Sequence, residues 1–197
     1  ETVPSYNKDN CINCNLCSLV CPHAVIRPFL LTEEEKEKAP EKVKNQLVKT
    51  GLGEGYYYTI GVSYKDCTGC GLCANICPGK KKVKALEMIA KKRLVKEELE
   101  ANEYLFTEIT EKTPLPLTTI KGTQFKHPKF EFSGACAGCG ETPYLKLITQ
   151  LFGDRLVIAN ATGCSSIYGA SSPSTPYSIP WANSLFEDNA EFGMGIK

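Results

Sequence analysis

The chain has 197 residues, a formal net charge of +1 and 42% hydrophobic residues. Because positive and negative charges nearly balance, the composition gives no indication of a nucleic-acid or membrane partner. No apolar run approaches the roughly 20 residues that cross a bilayer. No basic start leads into an apolar stretch, so we expect a cytoplasmic protein without a secretory signal. The sequence starts at Glu1 and stops at Lys197 without a terminal helix pattern, which suggests a piece of a longer polypeptide.

Eleven cysteines are the dominant feature of the composition. Eight of them lie in two runs, CINCNLCSLVCP at 11–22 and CTGCGLCANICP at 67–78, which repeat at an offset of 56 residues. The spacing C-x2-C-x2-C-x3-C-P is typical of bacterial ferredoxins, where three cysteines hold one 4Fe-4S cluster and the fourth ligates the other cluster. The spacing therefore predicts two cross-ligated clusters, one on Cys11, Cys14, Cys17 and Cys77 and one on Cys67, Cys70, Cys73 and Cys21.

The residues between the cysteines suit tight loops around a cluster. Gly69 and Gly71 allow the backbone to approach closely, and Asn13 and Asn15 occupy their places in the first run. Asparagine tolerates the left-handed conformation better than most residues, so both runs can form the same loop. Two zinc sites are the alternative, but zinc cysteines usually come as separated C-x-x-C pairs. The spacing favours iron–sulfur clusters.

Strand and helix signals around the runs predict an α+β ferredoxin-like domain over residues 1–112. We expect strands at 56–64 and 83–89, and a helix at 94–106. The polar stretch at about 31–55 interrupts the domain, and we interpret it as a solvated surface excursion. Within it, Thr32 and Glu35 form a capping box, and a second short helix follows Pro40. The apolar contacts expected of the helix at 94–106 are Leu94, Leu99, Leu105 and Phe106.

Residues 113–132 are rich in Pro, Thr and Lys without a clear period, which predicts a linker between domains. Residues 133–197 then show a different pattern. Thr142 and Pro143 are typical of a helix start, and Leu145, Ile148, Leu151 and Phe152 recur at helical spacing. The apolar run at 156–159 predicts a strand buried on both faces of a parallel sheet. Ligands in an open α/β domain bind beyond the carboxyl ends of the strands, which places Cys164 at a candidate site.

Three cysteines remain after the two runs, namely Cys136, Cys139 and Cys164. A C-x-x-C pair followed by one more cysteine is one ligand short of a third cubane. The fourth ligand could lie beyond this sequence. A redox disulfide between Cys136 and Cys139 is the alternative for the pair, and an inert buried thiol is the alternative for Cys164.

The chain resembles the C-terminal third of the pyruvate:ferredoxin oxidoreductase family (pyruvate synthase). The resemblance covers essentially all residues and rests on four stretches: CINCNLCSLVCPHAVIRPFLL, DCTGCGLCANICPGKKKVKAL, FSGACAGCGETPYLKL and NATGCSSIYGASSPSTPYSIPWANSLFEDNAEFGMG. It implies an enzyme of anaerobic metabolism that splits pyruvate with thiamine diphosphate, transfers the acyl group to coenzyme A and releases CO2. The electrons pass singly to ferredoxin or flavodoxin.

The resemblance also implies how this segment contributes. Residues from about 133 correspond to the opening of an open α/β thiamine-diphosphate domain. Cys136, Cys139 and Cys164 match three ligands of a third 4Fe-4S cluster, and Gly163, Cys164 and Glu141 are candidates for contact with thiamine. The segment that holds Mg2+ and the diphosphate lies outside this sequence, as do the catalytic residues. We therefore expect a homodimer completed by the rest of the polypeptide, and no turnover by residues 1–197 alone.

Other functions stay open at this point. A polyferredoxin-like subunit that only relays electrons fits the two runs, although it has no need of an α/β opening. An oxidoreductase for a different 2-oxo acid fits the same motifs, and a zinc-bound structural module is a third possibility. The lysines beside the second run would suit docking of an acidic ferredoxin, or they form an ordinary solvated face; they are Lys80, Lys81, Lys82 and Lys84.

Overall fold

The computed structural model describes residues 1–53, 55–169, 175–184 and 189–196. The chain divides into two compact units, of which the first is Glu1–Cys21 with Val25–His127, and the second is Pro22–Ala24 with Pro128–Lys197. The segment predicted as a linker, 113–132, is shared between them, since residues up to His127 cluster with the first unit. Across the described residues, no helix is both long and apolar enough to cross a membrane.

The first unit is built from two antiparallel sheets and several short helices. The strands are β1 (Thr2–Tyr6), β2 (Ile26–Leu31), β3 (Val48–Lys49), β4 (Tyr57–Val62) and β5 (Leu86–Ala90). The helices are α1 (Leu16–Leu19), α2 (Glu33–Lys38), α3 (Glu41–Lys44), α4 (Leu72–Ile76), α5 (Lys96–Thr107) and α6 (Ile120–Thr123). Short 3-10 turns cover Lys8–Asn10 and Lys91–Arg93.

The pairing of the strands follows the sequence repeat. β1 pairs with β5, with Thr2 opposite Ala90, and β2 pairs with β4, with Ile26 opposite Val62. β1 precedes the first cysteine run and pairs with β5, which follows the second run. In the other sheet, β2 follows the first run and pairs with β4, which precedes the second run, and β3 pairs with the other edge of β4. This exchange brings the two runs together inside one unit.

The main core of the first unit lies between the strands and the cysteine runs. It contains aliphatic residues of the strands together with buried cysteines and aromatic rings, including Val3, Ile26, Tyr58, Leu86, Cys17, Cys73 and Phe125. Phe125 belongs to the segment after α6, so this segment takes part in the core. The cysteines are therefore held from behind by packed apolar side chains.

The polar stretch at 31–55 is more than a solvated excursion, which corrects our interpretation. Ala39, Val43 and Leu47 are buried there and pack with Ala101 and Leu105 of α5 into a second core. Val43 lies inside α3, Ala39 precedes this helix and Leu47 follows it, so the stretch buries its apolar residues even though charged residues surround them. The predicted capping box is present, because Thr32 and Glu35 bond reciprocally at the start of α2.

Helix α5 agrees with its predicted position but not with all of its predicted contacts. Leu105 is buried, whereas Leu99 is 38% exposed. Its place in the packed face is taken by Ala101 and by Asn102, whose side chain accepts the N–H of Val62 at the end of β4 (2.6 Å) and donates to the carbonyl of Glu98 (2.7 Å). Because its oxygen and its nitrogen both have hydrogen-bond partners, the buried amide avoids the cost of unpaired polar groups.

The second unit contains a parallel pair of strands. Its elements are α7 (Thr142–Phe152), β6 (Ile158–Asn160), α8 (Cys164–Gly169), β7 (Trp181–Asn183) and α9 (Asn189–Ile196), with a 3-10 turn at Gly153–Arg155. β6 and β7 run parallel, which confirms the predicted parallel pairing, and α8 lies between them in the chain. The strand is half-buried and starts at Ile158, not buried on both faces from residue 156 as the apolar run predicted.

The core of the second unit is aromatic. Phe130 is 1% exposed and contacts the rings of Tyr168 and Tyr177 at centroid distances of 5.7 and 4.8 Å, and Ile179 completes the buried set. Helix α7 adds Leu145 to this core. Thr142 lies inside α7 and Glu141 is its N-cap residue, so the predicted cap is displaced by one position.

The buried face of helix α7 is only in part the one that its apolar pattern predicts. Lys146, Thr149 and Gln150 are buried, whereas Ile148 and Phe152 are 40% and 49% exposed. The Thr149 hydroxyl accepts the backbone N–H of Lys129 (3.0 Å), which ties the buried face to the segment before the C-x-x-C pair. The apolar spacing predicted the helix correctly, and of its apolar residues Leu145 joins the core, whereas Ile148 and Phe152 are exposed.

Candidate metal centre

The structure gathers four cysteines of the two runs around one cavity. This open cavity is lined by Cys11, Cys14 and Cys17 of the first run and by Cys77 of the second. Tyr6, Tyr58 and Ile60 close its apolar side. These are the four cysteines that the spacing predicted to share one cluster.

The remaining four cysteines also form a group. Burial raises the pKa of the Cys73 thiol to about 12, and the charges of Cys21, Cys67 and Cys70 contribute to this rise. Burial likewise raises the pKa of Cys67, with Cys21 and Cys70 adding to the effect. A buried thiolate without a positive partner is unfavourable, so these sites suit a cationic metal group that replaces the proton.

The loops of both runs have the left-handed turns that such a site needs. Asn13 and Asn15 have φ values of 56° and 64°, and their counterparts Gly69 and Gly71 have values of 72° and 79°. The expectation that asparagine can replace glycine here is confirmed for the backbone. At Gly69 a side chain is excluded as well, because a Cβ atom would lie 2.6 Å from the Thr2 carbonyl oxygen.

Backbone N–H groups point at the sulfurs in a repeated way. The N–H of Asn13 donates to Cys11 Sγ (3.4 Å), and the N–H of Ala85 donates to Cys77 Sγ (3.3 Å). In the second run, the N–H of Gly69 bonds Cys67 in the same manner and acts to lower its pKa, although burial dominates. Such donors stabilise thiolate charge and tune cluster potentials.

The ligand set suits an iron–sulfur cluster, because four cysteines from the two runs line one cavity. A zinc ion requires ligands that converge on one point at about 2.3 Å from sulfur. Among the described residues, no group of three or more His, Cys, Asp or Glu side chains converges to hold a metal ion in this way. Four cysteines are the ligand set that a 4Fe-4S cubane takes.

A polar network behind the first run has no signal in the sequence. Asn15 is 1% exposed, and its amide donates to the Lys121 carbonyl and accepts from the Tyr58 hydroxyl, both at 2.9 Å. Burial raises the pKa of Tyr6, and nearby Cys11 raises it further, so this phenol stays neutral beside the sulfur. Because these contacts join residues far apart in sequence, no local pattern predicts them.

The C-x-x-C pair of the second unit lies in a surface turn. The N–H of Cys139 donates to the carbonyl of Cys136 (3.0 Å), and Cys136 is exposed while Cys139 is half-buried. Burial acts to raise the pKa of Cys139, but the backbone N–H groups of Thr142 and Glu141 at the start of α7 lower it by more. Cys139 is thus prepared to carry negative charge, as a metal ligand must.

Cys164 is exposed at the first position of α8. One turn further along, burial raises the pKa of Tyr168, and the nearby charges of Glu141 and Cys139 raise it further. Glu141 also raises the pKa of Tyr177, after burial, to about 12. Glu141 and α8 therefore share one region, while the described contacts do not join Cys164 itself to the pair.

A polar cluster at the carboxyl ends of β6 and β7 was not anticipated. Asn160 donates to the side-chain oxygen of Asn183 (2.8 Å), which also accepts from the Ser166 hydroxyl (3.1 Å). Ser166 in turn accepts the N–H of Gly163 (3.1 Å). The signal in the sequence is weak, since each residue simply follows or ends a short apolar run, but the location is where open α/β domains bind ligands.

His23 is a second residue whose contacts the sequence does not reveal. It is 2% exposed, with Nδ1 at 2.9 Å from the Ser133 carbonyl oxygen, and its own carbonyl accepts the N–H of Phe132 (2.9 Å). Phe132 has a φ of 52°, which is unfavourable for a bulky residue. Hydrogen bonds with the buried His23 thus fix the chain just before Cys136, including the strained backbone of Phe132.

Comparison with known proteins agrees with this geometry. Residues 10–83 match the 4Fe-4S dicluster domain family. The pyruvate:ferredoxin oxidoreductase of Moorella thermoacetica is 52% identical over 98% of this chain, and the pyruvate-flavodoxin oxidoreductase of Enterobacter agglomerans is 50% identical over 98%. The chain is homologous to a segment of the pyruvate:ferredoxin oxidoreductases. A third relative, the pyruvate dehydrogenase (NADP+) of Cryptosporidium parvum, is 50% identical over 99% of the chain.

The chain spans only part of each homologous oxidoreductase. It covers 17% of the Moorella and Enterobacter proteins and 10% of the Cryptosporidium protein. The eight cysteines of the two runs all lie inside the matched dicluster residues, whereas Cys136, Cys139 and Cys164 lie beyond them. The similarity to the oxidoreductases nevertheless includes the second unit.

Proposed function

We propose that this chain is the electron-transfer segment of an oxidoreductase that oxidatively decarboxylates pyruvate. Pyruvate and coenzyme A give acetyl-CoA and CO2, and two electrons are passed singly to ferredoxin or flavodoxin. The observation that carries the proposal is the 52% identity to a pyruvate:ferredoxin oxidoreductase over 98% of the chain. An enzyme for a related 2-oxo acid is the nearest alternative, because it would fit the same motifs.

Two sets of cysteines would hold the 4Fe-4S clusters of residues 1–112. Cys11, Cys14, Cys17 and Cys77 line one cavity, and Cys73 interacts with Cys21, Cys67 and Cys70, which supports the cross-ligated assignment. When bound, such clusters supply one-electron acceptors. The protein keeps the thiols in apolar surroundings and directs backbone N–H groups at sulfur, which sets the potential of each site.

The second unit would supply three ligands of a third cluster and part of the thiamine-diphosphate site. Cys136, Cys139 and Cys164 are the proposed ligands, and a cysteine outside this sequence would be the fourth. Gly163 and Glu141 are the proposed contacts to thiamine, supported by the polar edge at Asn160, Ser166 and Asn183 beside Gly163. Mg2+ and most of the diphosphate contacts would come from the rest of the same polypeptide, in a homodimer in the cytoplasm.

The parallel strands disfavour a protein that only relays electrons. A polyferredoxin-like subunit requires cluster-binding loops and little else. Here β6, α8 and β7 form a strand–helix–strand unit with a polar edge at the ends of its strands. This feature supports a domain that binds a cofactor, as proposed for residues 133–197.

Iron and acid-labile sulfide in the anaerobically purified full-length enzyme test the cluster content. At four irons per cubane, about 12 irons per chain would agree with three clusters, and about eight would leave Cys136, Cys139 and Cys164 without this role. Pyruvate-dependent and coenzyme-A-dependent reduction of a viologen dye tests the reaction itself. Absence of that reduction in a fully loaded enzyme would refute the proposed substrate, and parallel assays with other 2-oxo acids would show which one is used.

The variant Cys14→Ala separates electron transfer from decarboxylation. Removing this ligand should abolish one cluster of residues 1–112 and lower ferredoxin reduction, while exchange of CO2 with the carboxyl group of pyruvate continues. Unchanged ferredoxin reduction would contradict the electron route. Reduction of NADP+ by the same variant is measured in parallel, because the Cryptosporidium relative is named for that acceptor.

A further inference from the structure

The turn that follows the second cysteine run has an unusual backbone. Lys80 and Val83 bond reciprocally through N–H and C=O at 3.1 and 3.0 Å, so the two residues between them form the tip of a tight hairpin. Lys81 and Lys82 occupy that tip with φ values of 51° and 69°. Turns with two left-handed residues are normally built from Asn-Gly or Gly-Gly, because a Cβ atom disfavours the conformation.

In the described part of the chain, no side-chain contact of the three lysines compensates for the strain of this turn. Lys80, Lys81 and Lys82 are exposed and make no ion pair or side-chain hydrogen bond there. Lys84 behaves differently, because its ammonium donates to the carbonyls of Ala74 (2.7 Å) and Asn75 (3.3 Å) at the end of α4. Lys84 therefore supports the fold, and strained residues without such a role point to a function at the surface.

The lysine turn lies at the wall of the cavity formed by Cys11, Cys14, Cys17 and Cys77. Pro78 and Gly79 line this cavity and lead directly into the turn. A Cβ atom on Gly79 would lie 1.8 Å from the Val83 carbonyl oxygen, so the turn closes tightly on a residue that lines the cavity. Ile12, which also lines the cavity, and Val83 are 50% and 53% exposed. The cavity is thus bordered by exposed apolar groups and by positive charges that have no ion-pair partner among the described residues.

The first cysteine run has no such surface. With the 56-residue offset of the repeat, Lys81 and Lys82 correspond to Val25 and Ile26. Those residues are 3% and 1% exposed, in the main core of the unit. The turn after Cys77 therefore presents lysines to solvent, whereas the corresponding residues after Cys21 are buried.

We propose that the surface of Ile12, Lys80, Lys81, Lys82 and Val83, here called the lysine turn surface, docks an acidic single-electron carrier protein. This inference rests on the proposed function and adds the site of electron exit. Small apolar contacts with surrounding charges suit weak and rapid association, in which opposite charge steers the encounter. In each encounter the carrier gains one electron and the reduced enzyme loses one, and two encounters follow the oxidation of each 2-oxo acid.

The double variant Lys81→Asn with Lys82→Gly tests the proposal in the full-length enzyme. It creates the Asn-Gly pair that this turn prefers and removes two charges. We expect a thermal unfolding midpoint that is unchanged or higher, together with a KM for an acidic flavodoxin that rises about tenfold at low salt. Calorimetric titration with the same flavodoxin should show a Kd weakened by a similar factor, and this difference should fade at high salt.

Three comparisons make the outcome decisive. Lys81→Arg with Lys82→Arg keeps the charge and should retain the original Kd. Lys38→Gln with Lys96→Gln removes two exposed lysines from α2 and α5 and should change neither Kd nor KM. An unchanged Kd and salt dependence in the Asn-Gly variant would overturn the docking site, and a lowered unfolding midpoint would overturn the argument from strain. Viologen reduction driven by pyruvate reports separately on the proposed function, so its failure is distinguishable.

Discussion

At the scale of single residues, the two asparagines of the first run show that the same backbone conformation can rest on different physics. Asn13 and Asn15 are both left-handed. The side-chain oxygen of Asn13 is buried without a hydrogen-bond partner in the described structure, whereas the amide of Asn15 bonds Tyr58 and Lys121. Replacing each by glycine relieves the same strain but removes different contacts.

We therefore predict opposite effects for Asn13→Gly and Asn15→Gly. Asn13→Gly should stabilise the protein by up to about 1 kcal/mol, because left-handed strain is released and no bond is lost. Asn15→Gly should destabilise it by about 1–3 kcal/mol, because Tyr58 and the Lys121 carbonyl lose their buried partner. Unfolding midpoints of the two variants measured side by side check this, and equal shifts of one sign would contradict the role given to the Asn15 amide.

Gly79 provides a test of backbone packing beside Cys77. Its φ is +60°, and an added Cβ atom would lie 1.8 Å from the Val83 carbonyl oxygen, which is backbone and cannot turn away. Gly79→Ala should therefore destabilise the unit by about 2 kcal/mol or more. Gly51→Ala is the matched control, since nothing lies within 4 Å of the place that its Cβ atom would take, and it should be nearly neutral. A neutral Gly79→Ala in thermal unfolding would contradict the packed turn.

Among the elements, helix α2 owes its position to one carboxylate. Glu35 caps the helix by accepting the N–H of Thr32 (2.8 Å) and forms an ion pair with Lys112 (2.7 Å) that is mostly buried. Burial acts to raise the pKa of Glu35, but the bonds from Lys112 and Thr32 lower it by more, so the net pKa is below the usual value. A group whose pKa falls on folding contributes stability above its unfolded pKa and loses it as the pH drops through the folded value.

The variant Glu35→Gln should therefore lower stability by about 1–2 kcal/mol at neutral pH. The difference from the original protein should shrink as the pH falls below about 4.3, where the carboxyl group of the unfolded chain takes up its proton. Thermal unfolding at several pH values measures this. Glu34→Gln is the control, because Glu34 pairs with Lys38 at the exposed surface and should show little effect. A difference independent of pH would mean that the charge of Glu35 is not what holds the helix.

The sequence predicts elements well where the signal is local. The capping box of α2, the strand β4 and the helix α5 all follow from neighbouring residues. The packed face of α7 does not, because Ile148 and Phe152 of its apolar side are exposed, whereas polar residues such as Thr149 are buried through contacts with Lys129. Periodicity reports that a helix forms, whereas the choice of face depends on partners that are distant in the chain.

In the candidate sites, too, local signals are predictable from the sequence and contacts between distant residues are not. The spacing of eight cysteines predicts two groups, and the structure brings together the members of each group through paired strands. The supports of these groups, such as the Asn15–Tyr58 bond or the polar edge at Asn160, could not be predicted, since each joins residues with a separation that no motif encodes. The ligands of the third cluster stay a prediction.

For the molecule as a whole, the exchange of strands between the two halves of the repeat is the feature that determines how the clusters would be shared. Because β1 pairs with β5 and β2 with β4, the end of each run lies beside the start of the other. Cys77 accordingly lines the cavity of Cys11, Cys14 and Cys17, although a long stretch of the first unit separates them in sequence. The alternative, in which each run holds its own cluster, makes a different prediction.

Cysteine double variants of the full-length enzyme distinguish the two arrangements. Cys14→Ala and Cys77→Ala should remove the same cluster, so the double variant should lose no more than the single ones, because the two residues act on one site. Cys14→Ala combined with Cys21→Ala should remove both clusters, about eight irons at four per cubane. Iron content and the electron paramagnetic resonance signals of the reduced protein measure the losses. If each run held its own cluster, Cys14 with Cys21 would be the pair without a further loss, and Cys14 with Cys77 would remove both.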